Sequence, residues 1–202
     1  MPTLIANYQK RVFATKVKYS YNLLSNALEK SIYDNGAPNT WDYGKSYEVD
    51  GTNHKNQNIA QVEYLAKTYF LPYFKVIKKA YPTVDGYSFI TSNGITYSFF
   101  IDGGSYNGVY TPAIIYIVAS FNNNTKVLGD PSRNYSKHDV IMQVDVTMDS
   151  NKLKFFSWGG NTRDGIKNEQ FGCRKDIEPY KRFSCGALIR YDGWQIAPDY
   201  PW

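Results

Sequence analysis

The sequence has few of the residues and motifs from which enzyme active sites are built. It contains two histidines, His54 and His138, and each lies in a polar stretch rich in Asn or Lys, without the HExxH pattern of a zinc protease. It has neither a GxSxG nucleophile motif nor a GxGxxG phosphate loop. The three glycines of IDGGSYNG, at 101–108, lie between two predicted strands, so we interpret this segment as a wide loop. These absences favour a protein that is not an enzyme.

Long hydrophobic runs are also missing. The apolar runs are a few residues long, whereas a transmembrane helix needs about 20 apolar residues, and no signal peptide can be distinguished. The composition is otherwise that of a folded protein, with 43% hydrophobic and 20% charged residues. For 202 residues we expect one domain. It would consist of an N-terminal helix at 1–35, a loop and second helix at 36–86, and a sheet with the C-terminal region at 87–202.

Cysteine is scarce. Cys173 and Cys185 have neither the spacing of a redox CxxC pair nor the companions needed for a structural zinc site. The Gly, Pro and charged residues between them are typical of a surface loop, so we predict a disulfide that closes this loop, with two buried thiols as the alternative. A disulfide indicates an oxidising compartment. The abundance of Asn and of aromatic residues, with 19 Tyr, 11 Phe and 4 Trp, is likewise typical of a secreted or surface-exposed β-rich protein.

Hydrophobic periodicity predicts a long first helix over about 4–34, which Gly36 and Pro38 end. A second helical pattern covers 57–80, and Pro72 should kink or split it. The segment between the two, at 36–56, is rich in Gly, Pro, Asn and Asp and is predicted to be a loop. Apolar residues recur every three or four positions along one face of the first helix: Phe13, Val17, Tyr21, Leu24, Leu28 and Ile32.

From residue 87 onward the apolar pattern alternates with a period of two, as in strands. An Asn-Gly turn joins the first two strands into a hairpin, and Asp149-Ser150-Asn151 joins the last two. Two helices followed by an antiparallel meander predict an α+β arrangement in which the first helix lies across the sheet. The predicted strands are 87–91, 95–101, 113–121, 139–148 and 152–158.

The segment TKVLGDPSRNYSKHD contains candidate calcium ligands. Asp130, Asn134 and Asp139 supply the oxygen atoms that calcium prefers. Their spacing is not that of an EF-hand loop, and Asx residues in loops more often cap turns. We therefore expect no cofactor and retain calcium as the alternative.

Acidic residues are absent from the first 28 positions, which nevertheless contain Lys10, Arg11, Lys16 and Lys18. One interpretation is a helix end that lies against an anionic membrane surface or an acidic partner. The other is an ordinary solvated helix face. Nucleic acid is not an expected partner, because the net charge is only +5 and most aromatic residues lie on predicted strands.

Both ends of the chain resemble one family. PTLIANYQKRVFATKVKYSYNLLSNALEKS resembles the segment that directly follows the transmembrane part of bacterial pseudopilins and type IV pilin-like proteins, which carry a prepilin-type N-terminal cleavage and methylation segment. CGALIRYDGWQIAPDYPW resembles the C-terminus of one branch of that family, and GDPSRNYSKHDVIMQVDV resembles the loop and strand that this branch places before it. The middle, about 36–112, matches only in the order of its elements.

The resemblance implies a non-enzymatic subunit of a type II secretion pseudopilus or of a type IV pilus-like filament. The complete protein would begin with a basic leader, a processing site and about 20 apolar residues that continue the first helix into the inner membrane. It would face the periplasm or the cell surface, with other pilin-like subunits and the secretion machinery as partners. Residues 1–202 without that segment are expected to be water-soluble.

On this interpretation the start of the first helix is an assembly surface. Its residues precede the main apolar stripe and have little sheet to cover, so we expect them to be partly exposed. The residues of this surface are Leu4, Ile5, Tyr8, Lys10, Arg11 and Val12.

A secreted carbohydrate-binding module or hydrolase is the alternative function. Such a protein would stack sugars on exposed aromatic rings, with Trp41, Trp158, Trp194 or Tyr side chains as the candidates.

Overall fold

A computed structural model describes most of the chain. A long N-terminal helix packs with a six-stranded antiparallel sheet, which confirms the predicted α+β fold. The described residues are 2–43, 47–49, 55–57, 59–79, 87–106, 109–121, 138–147 and 151–202. The helices are α1 (Pro2–Asn35), α2 (Ile59–Tyr69), α3 (Arg163–Asn168) and α4 (Cys185–Tyr191). The strands are β1 (Tyr47–Val49), β2 (Lys55–Gln57), β3 (Val76–Lys79), β4 (Tyr87–Thr91), β5 (Thr96–Tyr106), β6 (Val109–Ser120), β7 (Asp139–Asp145) and β8 (Leu153–Phe155).

Helix α1 has 34 residues and is therefore roughly 50 Å long at 1.5 Å per residue. It ends at Gly36, which has a φ of 81° and donates its N–H to the carbonyl of Ile32 at 2.9 Å. This left-handed cap favours glycine, which has no Cβ to clash. The predicted stripe lies against the core: four of its members are buried, and Tyr21 and Ile32 are half-buried.

The large sheet is a meander in which each strand pairs with its neighbours in the chain, in the order β3-β4-β5-β6-β7-β8. The predicted hairpin of β4 and β5 is present, and Gly94, at φ 78°, supplies the left-handed residue of its turn. Side chains alternate between two faces. One face, with Tyr97, Ile117 and Met142, belongs to the main core together with α1, α2 and α4. The other carries a smaller aromatic and aliphatic cluster.

A buried hydrogen bond joins α1 to the middle of the sheet. The hydroxyls of Ser20 and Tyr97 lie 2.9 Å apart, and both residues have no exposed surface. Burial raises the pKa of the Tyr97 phenol, so the ring stays neutral. At the next residue of α1, the Tyr21 ring stacks on Phe155 with the ring centroids 5.1 Å apart, and its hydroxyl donates to the carbonyl of Leu153 at 3.0 Å. These contacts hold α1 on both the centre and the β8 edge of the sheet.

The predicted second helix is wrong beyond Tyr69. A 3₁₀ turn at Leu71–Tyr73 contains Pro72, which cannot donate a backbone hydrogen bond, and the chain then enters β3 at the sheet edge. The predicted loop at 36–56 contains the short β1–β2 hairpin. The predicted wide loop at 101–108 is also wrong, because β5 runs to Tyr106 with a register shift between Asp102 and Gly103, and β6 begins at Val109.

The C-terminal region contains α3 and α4, which the sequence patterns did not predict. The disulfide between Cys173 and Cys185 is present, as predicted, and it closes a segment in which Lys175, Asp176 and Glu178 are exposed, whereas the two cysteines themselves are buried. They are 0% and 6% exposed and belong to the main core. The disulfide therefore fixes the start of α4 against the segment that follows α3.

A charged network fastens α3 to the end of the chain. The Arg163 guanidinium donates two hydrogen bonds to each of Asp192 and Asp199, at 2.7–3.0 Å. Arg163 first, and then Lys167, hold the pKa of the Asp199 carboxyl well below its usual range. The same pairing raises the pKa of Arg163, so Arg163 and Asp199 are both ionised near neutral pH.

Candidate functional site at the start of the first helix

The first two turns of α1 carry large apolar side chains that face solvent. Leu4 is 79% exposed, Ile5 58% and Tyr8 69%. We call these three residues the helix tip. Val12, one turn further on, is only half-buried. Contiguous exposed apolar residues of this size mark an interaction surface more often than single scattered ones do.

An aromatic cluster marks where α1 becomes part of the folded domain. The Phe13 ring is 4% exposed, and its centroid lies 5.6 Å from those of Phe121, His138 and Trp202. Phe121 directly follows β6, His138 directly precedes β7, and Trp202 belongs to the C-terminal segment. We call these four rings the aromatic clamp. Because the clamp holds α1 at Phe13, the helix tip extends beyond the packed part of the helix.

Three grooves flank α1 between the helix tip and its middle. The largest, of about 590 Å³, lies between α1 and the segment after α4, and Lys10 and Arg11 line it. A second, of about 310 Å³, is lined by Tyr8, Val12 and Lys16 together with the aromatic clamp. A third, of about 230 Å³, is lined by Lys16 and by the turn between β4 and β5.

All three grooves are cationic. Each is lined by at least one of Lys10, Arg11 and Lys16, and among the residues that the structure describes no Asp or Glu lines them. Within the described residues, none of these three cations forms an ion pair. The grooves can therefore receive an anionic or apolar group.

A strained residue shapes the wall of the largest groove. Trp194 has a φ of 65° and is the one non-glycine residue with positive φ in the described part of the chain. Such a conformation costs of order 1–3 kcal/mol. The ring contacts Tyr21 and Phe155, at centroid distances of 5.7 and 6.1 Å, and the Lys18 ammonium lies 5.9 Å from it. These contacts offset the strain and fix the ring beside α1.

The structure places the six residues of the predicted assembly surface on three successive turns. Lys10 and Arg11 line the largest groove, Tyr8 and Val12 the second, and Leu4 and Ile5 extend beyond both. The residues on the opposite walls of the grooves were not among the predicted site residues. His138 was predicted to be a solvated loop residue, but it is half-buried in the clamp. The one signal for these walls was the C-terminal stretch that resembles the pilin-like family, since it contains both Trp194 and Trp202.

The other candidate residues lie elsewhere. Asp139 begins β7 and is buried, whereas Asp130, Asn134 and His54 lie outside the described residues. Across the described ranges, no group of three His, Cys, Asp or Glu is arranged to hold a metal ion.

Two of the three candidate tryptophans are not exposed platforms. Trp41 is 5% exposed, stacks on Tyr69 at 4.3 Å and donates its Nε1–H to the carbonyl of Gly36. Trp194 is half-buried, and only Trp158 of the three, at 63%, is largely exposed.

Within the described residues, no helix combines the length and the apolar character needed to cross a membrane.

Comparison with known proteins places the chain in a family. No curated protein and no solved structure matches the chain. A family of unknown function, DUF6613, matches residues 3–202, which is nearly the whole sequence. The chain therefore belongs to the DUF6613 family, whose function is unknown.

Proposed function

We propose that the chain is a non-enzymatic, pilin-like subunit of a type II secretion pseudopilus or of a type IV pilus-like filament. The observation that carries the proposal is the division of α1 at the aromatic clamp. From Phe13 onward one face of α1 is buried against the domain, whereas the helix tip is an apolar surface that the domain leaves uncovered. A subunit that assembles through its first helix needs a buried helix face, which holds the helix on its own domain, and an uncovered helix end, which can contact other subunits.

The energetics of the helix tip favour assembly. Burying a large apolar side chain is worth about 1.5–3 kcal/mol, and the three side chains of the tip are 58–79% exposed. Packing against equivalent residues of neighbouring copies would recover much of this free energy. A contact that repeats along a filament must join two different sides of this helix end in successive copies, because a contact between identical patches closes after two copies.

The remaining features fit the same function. A subunit outside the cytoplasm is compatible with a disulfide, and the one between Cys173 and Cys185 fixes the C-terminal region to the core. For the carbohydrate-binding alternative, Trp41 is buried against Tyr69, whereas Trp158 and several Tyr side chains, such as Tyr33, are largely exposed.

Cysteine cross-linking in cells that produce the complete protein tests the proposal. Both native cysteines form the disulfide, so a new cysteine at Tyr8→Cys is the one free thiol of the variant. We expect mild oxidation to give a cross-linked dimer, because one thiol in each chain forms one intermolecular disulfide. Tyr33→Cys is the matched control, because Tyr33 is 91% exposed near the other end of α1. A filament contact made by the helix tip cross-links the first variant and not the second.

Two results would contradict the proposal. One is a Tyr8→Cys protein that remains monomeric while the unmodified protein assembles. The other is an assembled protein in which Ile5→Asp and Tyr8→Asp together change nothing. In residues 1–202 the same double substitution should leave folding intact, because surface changes usually alter stability by about 0.5 kcal/mol or less.

A further inference from the structure

We propose that the largest groove beside α1 binds an extended acidic peptide segment of a partner protein, through cations that α1 and α4 supply. The inference goes beyond the proposed function and does not depend on it, because it concerns the side of α1 that faces the C-terminal segment and not the helix tip. The binding groups are four cations that we call the basic face: Lys10, Arg11, Lys18 and Arg190.

The three cations of α1 lie on one side of the helix. Successive residues are rotated by about 100°, which places Lys10, Arg11 and Lys18 within a sector of about 100°. Lys10 and Arg11 line the largest groove together with Trp194, and the Lys18 ammonium lies 5.9 Å from the centroid of the Trp194 ring. All three charges therefore adjoin the same groove, whose volume is about 590 Å³.

Aromatic rings hold two of the cations in place. The Arg190 guanidinium carbon lies 4.7 Å from the Tyr21 ring centroid, and Phe155 stacks on the same ring with the centroids 5.1 Å apart. Lys18 lies over Trp194 in the same way. A cation over a ring face is held by attraction to the negative face of the ring. The Tyr21 ring therefore has no open face on which a nucleic acid base or a sugar could stack, and the site recognises charge.

No acidic side chain neutralises the basic face. Within the described residues, none of its four cations forms an ion pair, and α1 has no acidic residue before Glu29. Asp192, two residues after Arg190, is engaged by the Arg163 guanidinium. The positive charge of the face therefore remains available to attract an anionic ligand.

An extended peptide matches the length and the lining of the groove. From Lys10 to Tyr21 the distance along the helix axis is about 16 Å, which an extended chain covers in about five residues. Asn7, Thr15 and Gln195 also line the groove. Their amide and hydroxyl groups can pair with the N–H and C=O groups of a peptide backbone. The Asp or Glu side chains of the peptide then pair with the cations.

A second copy of residues 1–202 does not supply such a peptide. The sequence has 18 acidic residues, and no six consecutive positions contain more than two of them. In the described part of the chain, several exposed acids already have a cation of their own: Glu63 pairs with Lys67, Asp176 with Arg174 and Glu178 with Lys181. The partner is therefore a different protein with a segment rich in Asp or Glu.

Fluorescence anisotropy of residues 1–202 with labelled peptides tests this inference. One peptide alternates Glu and Ala over about six residues, and the other carries Gln in place of every Glu. We expect binding of the Glu peptide only, and its loss in about 0.5 M salt, because screening removes the attraction. An exposed ion pair contributes up to about fivefold in affinity, so Lys10→Gln with Arg11→Gln should bind roughly 10-fold more weakly.

The matched control has the same net charge as this double variant and leaves the basic face intact. It combines Lys16→Gln with Lys175→Gln. Lys16 lies on the same helix but lines the other two grooves, and Lys175 is exposed in the segment between the two cysteines. The control should bind as the unmodified chain does. Lys10→Arg with Arg11→Lys, which keeps both charges, should also retain binding.

Three results with the peptides would overturn the inference: equal binding of the Glu and Gln peptides, binding of neither, or equal affinities of the two double variants. Tighter binding of a short oligothymidine, lost in Lys10→Gln with Arg11→Gln, would overturn it and assign the basic face to nucleic acid. Salt-sensitive self-association without peptide, lost in the same variant, would overturn it and assign the basic face to a second copy.

Discussion

Replacing Phe13 by Ala tests the boundary between the packed helix and the helix tip. The side chain is 4% exposed and contacts three rings at centroid distances of 5.6 Å. Truncating a buried Phe costs about 3–5 kcal/mol, because the apolar contacts are lost and a cavity remains. Aromatic pairs contribute about 0.5–1.5 kcal/mol each beyond their buried area. We therefore expect Phe13→Ala to lower the free energy of unfolding by about 4 kcal/mol.

Tyr8→Ala is the control, since it removes an aromatic ring five residues earlier on the same helix. Tyr8 is 69% exposed, so its loss should cost about 0.5 kcal/mol or less. Urea unfolding followed by circular dichroism measures both values. In thermal unfolding, about 4 kcal/mol corresponds to a drop in Tm of roughly 8–16 °C for a chain of this length. A cost below 1 kcal/mol for Phe13→Ala, or equal costs for both variants, would refute the position of the clamp.

Three further predictions concern the packed domain. Replacing both cysteines by Ala should lower the free energy of unfolding by about 3 kcal/mol in urea titrations, because the unfolded chain regains the freedom of a short closed loop; a cost below 1 kcal/mol would contradict this. Ser20→Ala should cost about 1–3 kcal/mol, because the buried Tyr97 hydroxyl loses its partner, and adding Tyr97→Phe should recover part of that loss; additive losses would argue against the hydrogen bond. The pKa of Asp199 is depressed by Arg163, so its contribution to stability is present above about pH 4 and lost as the pH falls further. Asp199→Asn should therefore show a smaller decrease of the urea midpoint below pH 4 than the unmodified chain, and equal decreases would exclude Asp199 as the cause.

The parts of the fold that the sequence predicted are those with a strong local pattern. The stripe from Phe13 to Ile32 extends over many turns, and the strands from Tyr87 onward alternate clearly, so their periodicity identifies them. Strand β3 was missed because its four residues follow a helical pattern that Pro72 interrupts. Helices α3 and α4 are six and seven residues long, too short for periodicity to distinguish them from loops.

Only the residues that α1 contributes to the candidate site could be predicted from the sequence. The helix tip could be inferred because its residues precede the stripe that begins at Phe13. The walls of the grooves could not, because Trp194 and Trp202 reach α1 from the far end of the chain through tertiary packing. The burial of Trp41 could not be predicted for the same reason, since its partner Tyr69 lies at the end of α2. Local sequence patterns carry no information about such pairs.

The contact between Phe13 and Trp202 constrains the order in which the domain folds. Each strand of the sheet pairs with its neighbour in the chain, so the sheet can form from successive hairpins as the chain emerges during synthesis. Helix α1 is synthesised first, but the clamp that holds it needs a ring from residue 202. Its apolar stripe therefore stays uncovered until the sheet has been synthesised, and the clamp is complete only once Trp202 has followed. Without Trp202, α1 would keep the contacts of Ser20 and Tyr21 with the sheet but lose one ring of the clamp.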